Sequence, residues 1–90
     1  MEVTFDPAKD AENVRKHGIS LKRAEDLDED TALFAVDDSQ DYGEVRYKAT
    51  GWLDAMLYSL IFTMEPEEII RAISLRKSTA QEQRDYAEEY

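Results

Sequence analysis

The sequence predicts an α+β domain: a small antiparallel sheet with helices packed on one face, in the order β-α-α-β-β-β-β-α. Three observations predict it. The stretches Ala32 to Val36, Val45 to Thr50, Ala55 to Thr63 and Ile69 to Arg76 are short, apolar or alternating, and bounded by turn residues. The links between them are too short for crossovers, so neighbours run antiparallel. Helix-start signals flank this block, at Asp6-Pro7, Ser20 and Thr79.

Each element has a local cause. Val3 and Phe5 can share one side of a first strand. Asp6 caps a helix over about 7–17, Pro7 suits its first position, and Gly18 can end it in the left-handed region. Ala8, Ala11 and Val14 recur at helical spacing. Ser20 caps a second short helix with Leu21, Ala24 and Leu27 inward. Asp37 to Gly43 is a turn, and Gly51-Trp52-Leu53-Asp54 and Glu65-Pro66-Glu67 are two more. Ala55 to Thr63 is nearly all apolar, as a central strand covered on both faces requires. Thr79-x-x-Glu82 is a capping box that opens a last helix, with Gln83, Tyr86, Ala87 and Tyr90 on one side.

Ninety residues suit a single domain over 1–90. At 42% hydrophobic and 36% charged, with nine aromatics, the chain is too apolar for a disordered acidic tail. Its core is thin, so binding a partner can add stability. With no cysteine, disulfides, thiolate metal sites and a cysteine nucleophile are excluded. His17 is the only histidine, so a zinc site built from several imidazoles is excluded too. The longest apolar run, Ala55 to Phe62, is far short of the about 20 residues of a membrane span. The first residues lack the pattern of a signal peptide, so a cytoplasmic protein is expected.

The formal net charge is −10, and it is regional. Nine acids and no base lie between Glu25 and Glu44. Charge-driven nucleic-acid binding over the whole surface is therefore excluded, whereas a local basic face is not. The acidic band is either a solvated surface or a receiver for a basic partner.

Strand parity locates such a face. Even-length turns pair Thr50 with Ala55 and Met64 with Ile69. One face then carries Arg46, Lys48, Thr50, Ser59, Thr63, Ser74 and Arg76. The other carries Tyr47, Met56, Tyr58, Leu60, Phe62, Ile73 and Leu75, and packs on the helices. Lys48 and Arg76 would flank Leu57, roughly 10 Å apart, a spacing that suits two cations on one phosphate or two neighbouring ones. A regular fifth strand would turn Arg71 and Lys77 to the opposite face. Surface pairing with the abundant acids, worth about 0–1 kcal/mol per pair, is the competing explanation of the row.

Other chemistry is sparse. His17 closes the first helix, where it can cap carbonyls or donate a proton to a leaving oxygen. Asp37, Asp38, Asp41 and Glu44 lack the spacing of a calcium loop and read as turn residues. Glu44 precedes Arg46 by two residues and can orient it or act as a base. There is no G-x-S-x-G elbow, phosphate loop or dinucleotide fingerprint. Trp52 can stack on a base or cover the sheet edge.

Several segments together resemble one family. They are Phe5-Asp6-Pro7-Ala8-Lys9, Asn13 to Ser20, Asp37-Asp38 with Asp41 to Glu44 and Arg46-Tyr47, and Ile73-Ser74-Leu75-Arg76-Lys77 with Thr79, Glu82 and Tyr86. In this order they resemble the BrnT toxins of bacterial type II toxin–antitoxin systems, over about 2–87. The resemblance implies a RelE-like fold and RNA cleavage without a metal or other cofactor. It also implies neutralisation by BrnA, a ribbon-helix-helix antitoxin that binds the operon DNA. DNA would thus be a partner only indirectly, and a membrane would not be one.

Metal-free RNA cleavage needs a base for the 2′-OH, charge on the phosphate oxygens and an acid for the 5′-oxygen. On this resemblance Arg46 and Arg76 clamp the phosphate, Glu44 or a neighbouring group is the base, and His17 is a candidate acid. Lys48, Arg71 and Lys77 hold flanking phosphates, and Tyr47 and Trp52 stack on bases. The chain departs from the family at Thr79-Ala80-Gln81-Glu82-Gln83, where members carry more basic residues. The alternative is a catalytically weak or inactive toxin-like module acting in a repressor complex. An acidic DNA mimic would explain the charge but not the basic row.

Overall fold

The structure, a computed structural model, describes residues 1–38 and 43–90. Part of the acidic turn, Ser39 to Tyr42, therefore lies outside the described residues. Five strands, β1 (Val3–Thr4), β2 (Leu33–Asp37), β3 (Arg46–Leu53), β4 (Met56–Glu65) and β5 (Ile69–Lys77), form one sheet in the order β1-β5-β4-β3-β2. From β2 to β5 each strand runs antiparallel to its neighbour, as expected. β1 instead runs parallel to β5. Most of the chain separates these two, so no hairpin dictates their direction.

Helix α1 spans Pro7–His17. The Asp6 carboxylate accepts from the Ala8 amide at 2.9 Å, and Gly18, at φ 71°, donates its N–H to Val14 O. Ala8, Ala11 and Val14 are exposed, contrary to their apolar spacing. The buried residue is Asn13. Its amide donates to Leu75 O at 2.8 Å and Ile19 O at 2.9 Å, and accepts from Leu75 N at 3.0 Å. β1 pairs with β5 only at Ile70 and Arg71, so Asn13 supplies Leu75 with its ladder partner. Satisfying a buried backbone outweighs burying small apolar side chains.

A 3₁₀ helix, Leu21–Asp26, follows, capped by Ser20. It turns Leu21 and Ala24, with Leu27 beyond, onto the sheet as expected. They pack with Leu53, Leu60 and Leu75 in the core cluster. Each fully buried leucine contributes about 1.5–3 kcal/mol.

β3 is longer than its alternation suggests. Gly51-Trp52-Leu53 continue the strand, and the turn is only Asp54-Ala55, with φ of 51° and 68°. Thr50 therefore pairs with Ser59, and Lys48 with Ile61, instead of with Ala55 and Leu57. The shift is four residues, an even number, so the faces are unchanged.

Two irregularities place β5. Its link to β4 is the three-residue turn Pro66–Glu68, an odd length where an even one was expected. Thr63 therefore pairs with Arg71. A bulge then breaks the register between Ile61 and Phe62, after which Ile61 pairs with Ser74 and Ser59 with Arg76. The two one-residue shifts cancel for Ser74 and Arg76, which keep their expected face. Arg71 lies between the turn and the bulge, so it moves to the face of Thr63 and Arg46, contrary to expectation. Lys77 pairs with Tyr58 and stays on the other face, as a regular end of the strand requires.

Helix α2 (Ala80–Glu89) opens with the expected capping box. However, its buried residues are Glu82 and Tyr86, while Gln83 and Ala87 are exposed. It also lies over the face of Lys48 and Ser59, opposite the 3₁₀ helix, so the helices are not confined to one face. Tyr86 donates its hydroxyl to Thr31 O at 2.9 Å and Tyr90 to Ala32 O at 3.1 Å. The face beneath is polar and cationic, so it takes a carboxylate and tyrosines rather than an apolar stripe.

Candidate functional site

Arg46, Lys48 and Arg76 line one cleft of about 390 Å³ on this second face, together with Asp37, Ile61, Ile73, Ser74 and Glu82. β3 contributes two of the cations and β5 the third, with β4 between them. Asp37 enters because it pairs with Arg46 across β2 and β3.

Glu82 organises the cleft. Its Oε1 accepts from Arg76 Nη1 at 2.7 Å, from the Thr79 amide at 2.8 Å and from Ser59 Oγ at 2.9 Å. Its Oε2 accepts from Arg76 Nη2 at 3.0 Å and pairs with Lys48 Nζ at 3.1 Å. Ser78 Oγ lies 2.8 Å from Ser59 Oγ. Burial pushes the Glu82 carboxyl up. The hydrogen bonds from Arg76, the Thr79 amide, Ser59 and Lys48 outweigh it and hold the carboxyl well below the usual carboxylate range. A carboxylate with five donors has no lone pair to spare and cannot serve as a base. It fixes the directions in which Arg76 and Lys48 point.

The other predicted residues fall in three groups. Glu44 lies beside the cleft, 3.5 Å from Arg46 Nη2 and 3.3 Å from Arg71 Nη2. Arg71 and Arg46 border a smaller hollow of about 160 Å³ with Glu44 and Lys9. His17 borders another hollow of about 160 Å³, which shares Ile73 and Ser74 with the cleft. Trp52 packs edge-on against Tyr86, with ring centroids 6.0 Å apart. Tyr47 stacks on Phe62 on the far face, where Lys77 also lies. Neither is brought to the cleft.

Sequence reasoning missed Glu82 and Asp37 as cleft residues. The capping box accounts for Glu82 on its own, and the residue both caps the helix and lines the cleft. Its signal was present: the capping box begins three residues after Arg76, close enough for the helix's first turn to fold back onto the strand.

The class is thus a small α+β protein whose cleft gathers three cations and two acids on an anionic molecule. The family description "Ribonuclease toxin, BrnT, of type II toxin-antitoxin system" matches residues 5–82, and the chain belongs to this BrnT family. The fold is similar to the crystal structure of the Brucella abortus ribonuclease toxin, BrnT, with a TM-score of 0.68 and 22% identity. The match covers 88% of this chain and 97% of that one. No curated protein matches the chain. Among the described residues no helix is long and apolar enough to cross a membrane.

Proposed function

We propose that this chain is the endoribonuclease toxin of its system and cleaves RNA by attack of a 2′-OH on the adjacent phosphate, without a metal. The convergence of Arg46, Lys48 and Arg76 on one cleft carries the reading. A phosphate held there meets a guanidinium already oriented by Glu82, so little reorganisation accompanies the growth of charge on its oxygens. Glu44, beside Arg46, takes the 2′-OH proton. His17, across Ser74, returns a proton to the 5′-oxygen. Arg71 extends the cationic path from Arg46 and receives the next phosphate. The partner that restrains the activity is a BrnA-like ribbon-helix-helix protein in the cytoplasm.

A second reading has its own support. Asp37 and Glu82 line the cleft and Glu44 adjoins it, so three acids face three cations. An RNA phosphate must compete with them, which favours a weakly active or inactive module that works as part of a repressor complex.

One experiment separates the two. The purified chain is incubated with RNA in EDTA and the cut sites are mapped by primer extension. Sites that appear with wild type and vanish with Arg76→Ala and Arg46→Ala support the nuclease. A folded wild-type protein that leaves RNA intact removes that reading in favour of the module.

A further inference from the structure

The face opposite the cleft is only partly covered. The 3₁₀ helix and its flanking residues Ile19 and Leu27 bury the half of it around Leu53, Leu60 and Leu75. Over the remaining half, Val36 is 60% exposed, Phe34 50% and Met64 47%. Phe34, Tyr47, Phe62 and Met64 form the floor of a groove of about 590 Å³. Phe34 and Val36 belong to β2, the outermost strand of the sheet. An apolar edge strand open to water is an aggregation hazard that proteins ordinarily cover. The rim of the same groove carries Glu2, Glu29, Glu67 and Glu68. Glu67 and Glu68 occupy the turn after β4 in the left-handed region, at φ 65° and 62°, a conformation that disfavours side chains other than glycine.

These features choose the occupant. A second copy would bring four glutamates against four more, on a chain of net charge −10. A basic segment with an apolar stripe meets both the floor and the rim favourably. We infer that the antitoxin docks here, laying a Lys/Arg-flanked apolar segment into the groove between β2 and the β4–β5 turn, on the face away from the cleft. The inference rests on the toxin–antitoxin reading and adds to it the face, the floor and the charge of the partner. It also implies that docking and RNA binding use separate surfaces, so the antitoxin need not fill the cleft to hold the toxin.

The test uses the full chain and the antitoxin of its system, with affinity measured by titration calorimetry at two salt concentrations. Val36→Lys/Met64→Lys places one cation on the floor and one on the exposed strand beside it, and Glu67→Lys/Glu68→Lys reverses the rim. Circular dichroism and melting confirm that each variant folds. Each is expected to weaken binding by about tenfold or more, and added salt to weaken the wild-type complex, while Arg46→Ala binds as wild type does. Hydrogen exchange on complex formation should slow over 33–37 and 64–70. Unchanged affinity of both double variants, or protection over the cleft and α2 instead, would overturn the inference. So would a dimer of the chain alone that the floor variant dissociates. If wild type arrests growth yet does not bind the antitoxin, the docking inference fails alone. If it neither arrests growth nor binds, the toxin reading fails with it.

Discussion

Glu82 accepts both terminal nitrogens of Arg76, at 2.7 and 3.0 Å, and this pair ties the last helix to the last strand. The same carboxylate reaches Lys48 on a strand two places away in the sheet. Fold and cleft thus depend on one residue, and their dependence can be separated by experiment.

Glu82→Gln removes the charge but keeps the shape. Its NH₂ would face donors on Arg76 or Lys48, so stability should drop by about 2–3 kcal/mol at neutral pH, read by urea unfolding. RNA should bind more tightly, because a competing anion is gone, while kcat falls about 10- to 100-fold because Arg76 is no longer held in place. A parallel fall in both affinity and kcat would mean that Glu82 matters only to the fold.

The pH dependence has a definite sign. Glu82 has a folded pKa held well below that of an exposed glutamate, about 4.3. A depressed pKa contributes stability that is fully present above the unfolded value and is lost as pH falls toward the folded one. The gap in stability between wild type and Glu82→Gln should therefore be widest above about pH 5 and shrink on acidification below about pH 4. Denaturation curves at several pH values check it.

Asn13→Ala should cost about 2–4 kcal/mol, since it leaves Leu75 N and two carbonyl groups without the partners they have at 2.8–3.0 Å. Amide exchange at Leu75 should rise more than at Leu60, which is held by strands on both sides.

Ala55→Gly should stabilise the chain, by about 0.5–1 kcal/mol, because the hairpin turn holds Ala55 at φ 68°. Gly51→Ala should do the reverse, by about 1–3 kcal/mol. A Cβ at that position would stand 3.1 Å from Ala32 Cβ and 3.2 Å from Asp28 O. Thermal melts of the two variants should move in opposite directions.

What the sequence determined by itself was local or periodic. Asp6, Pro7 and Gly18 bound α1 through backbone chemistry that needs no distant partner. Alternation put Arg46, Lys48 and Thr50 on one side of a strand and Tyr47 and Ala49 on the other, since side chains alternate wherever a strand forms. That the basic row faces one way survived two wrong turn lengths: one error was even, and the other was cancelled by a bulge.

Tertiary structure decided the rest. The odd turn that carries Arg71 to the cleft side, and the bulge that returns Ser74 and Arg76 to it, depend on how β5 fits β4, and no residue pattern in Ile69 to Lys77 announces them. The inward turn of Asn13 answers a gap in the ladder beside β5, which exists only because β1 is short. Glu82 reaches Arg76 and Lys48 because α2 crosses to the polar face, where half-buried cations and buried hydroxyls need an anion more than they need an apolar neighbour. Such choices are settled by satisfying buried polar groups across the sheet, a condition of which a short stretch of chain carries at most the local half, as in the spacing of Arg76 and Glu82.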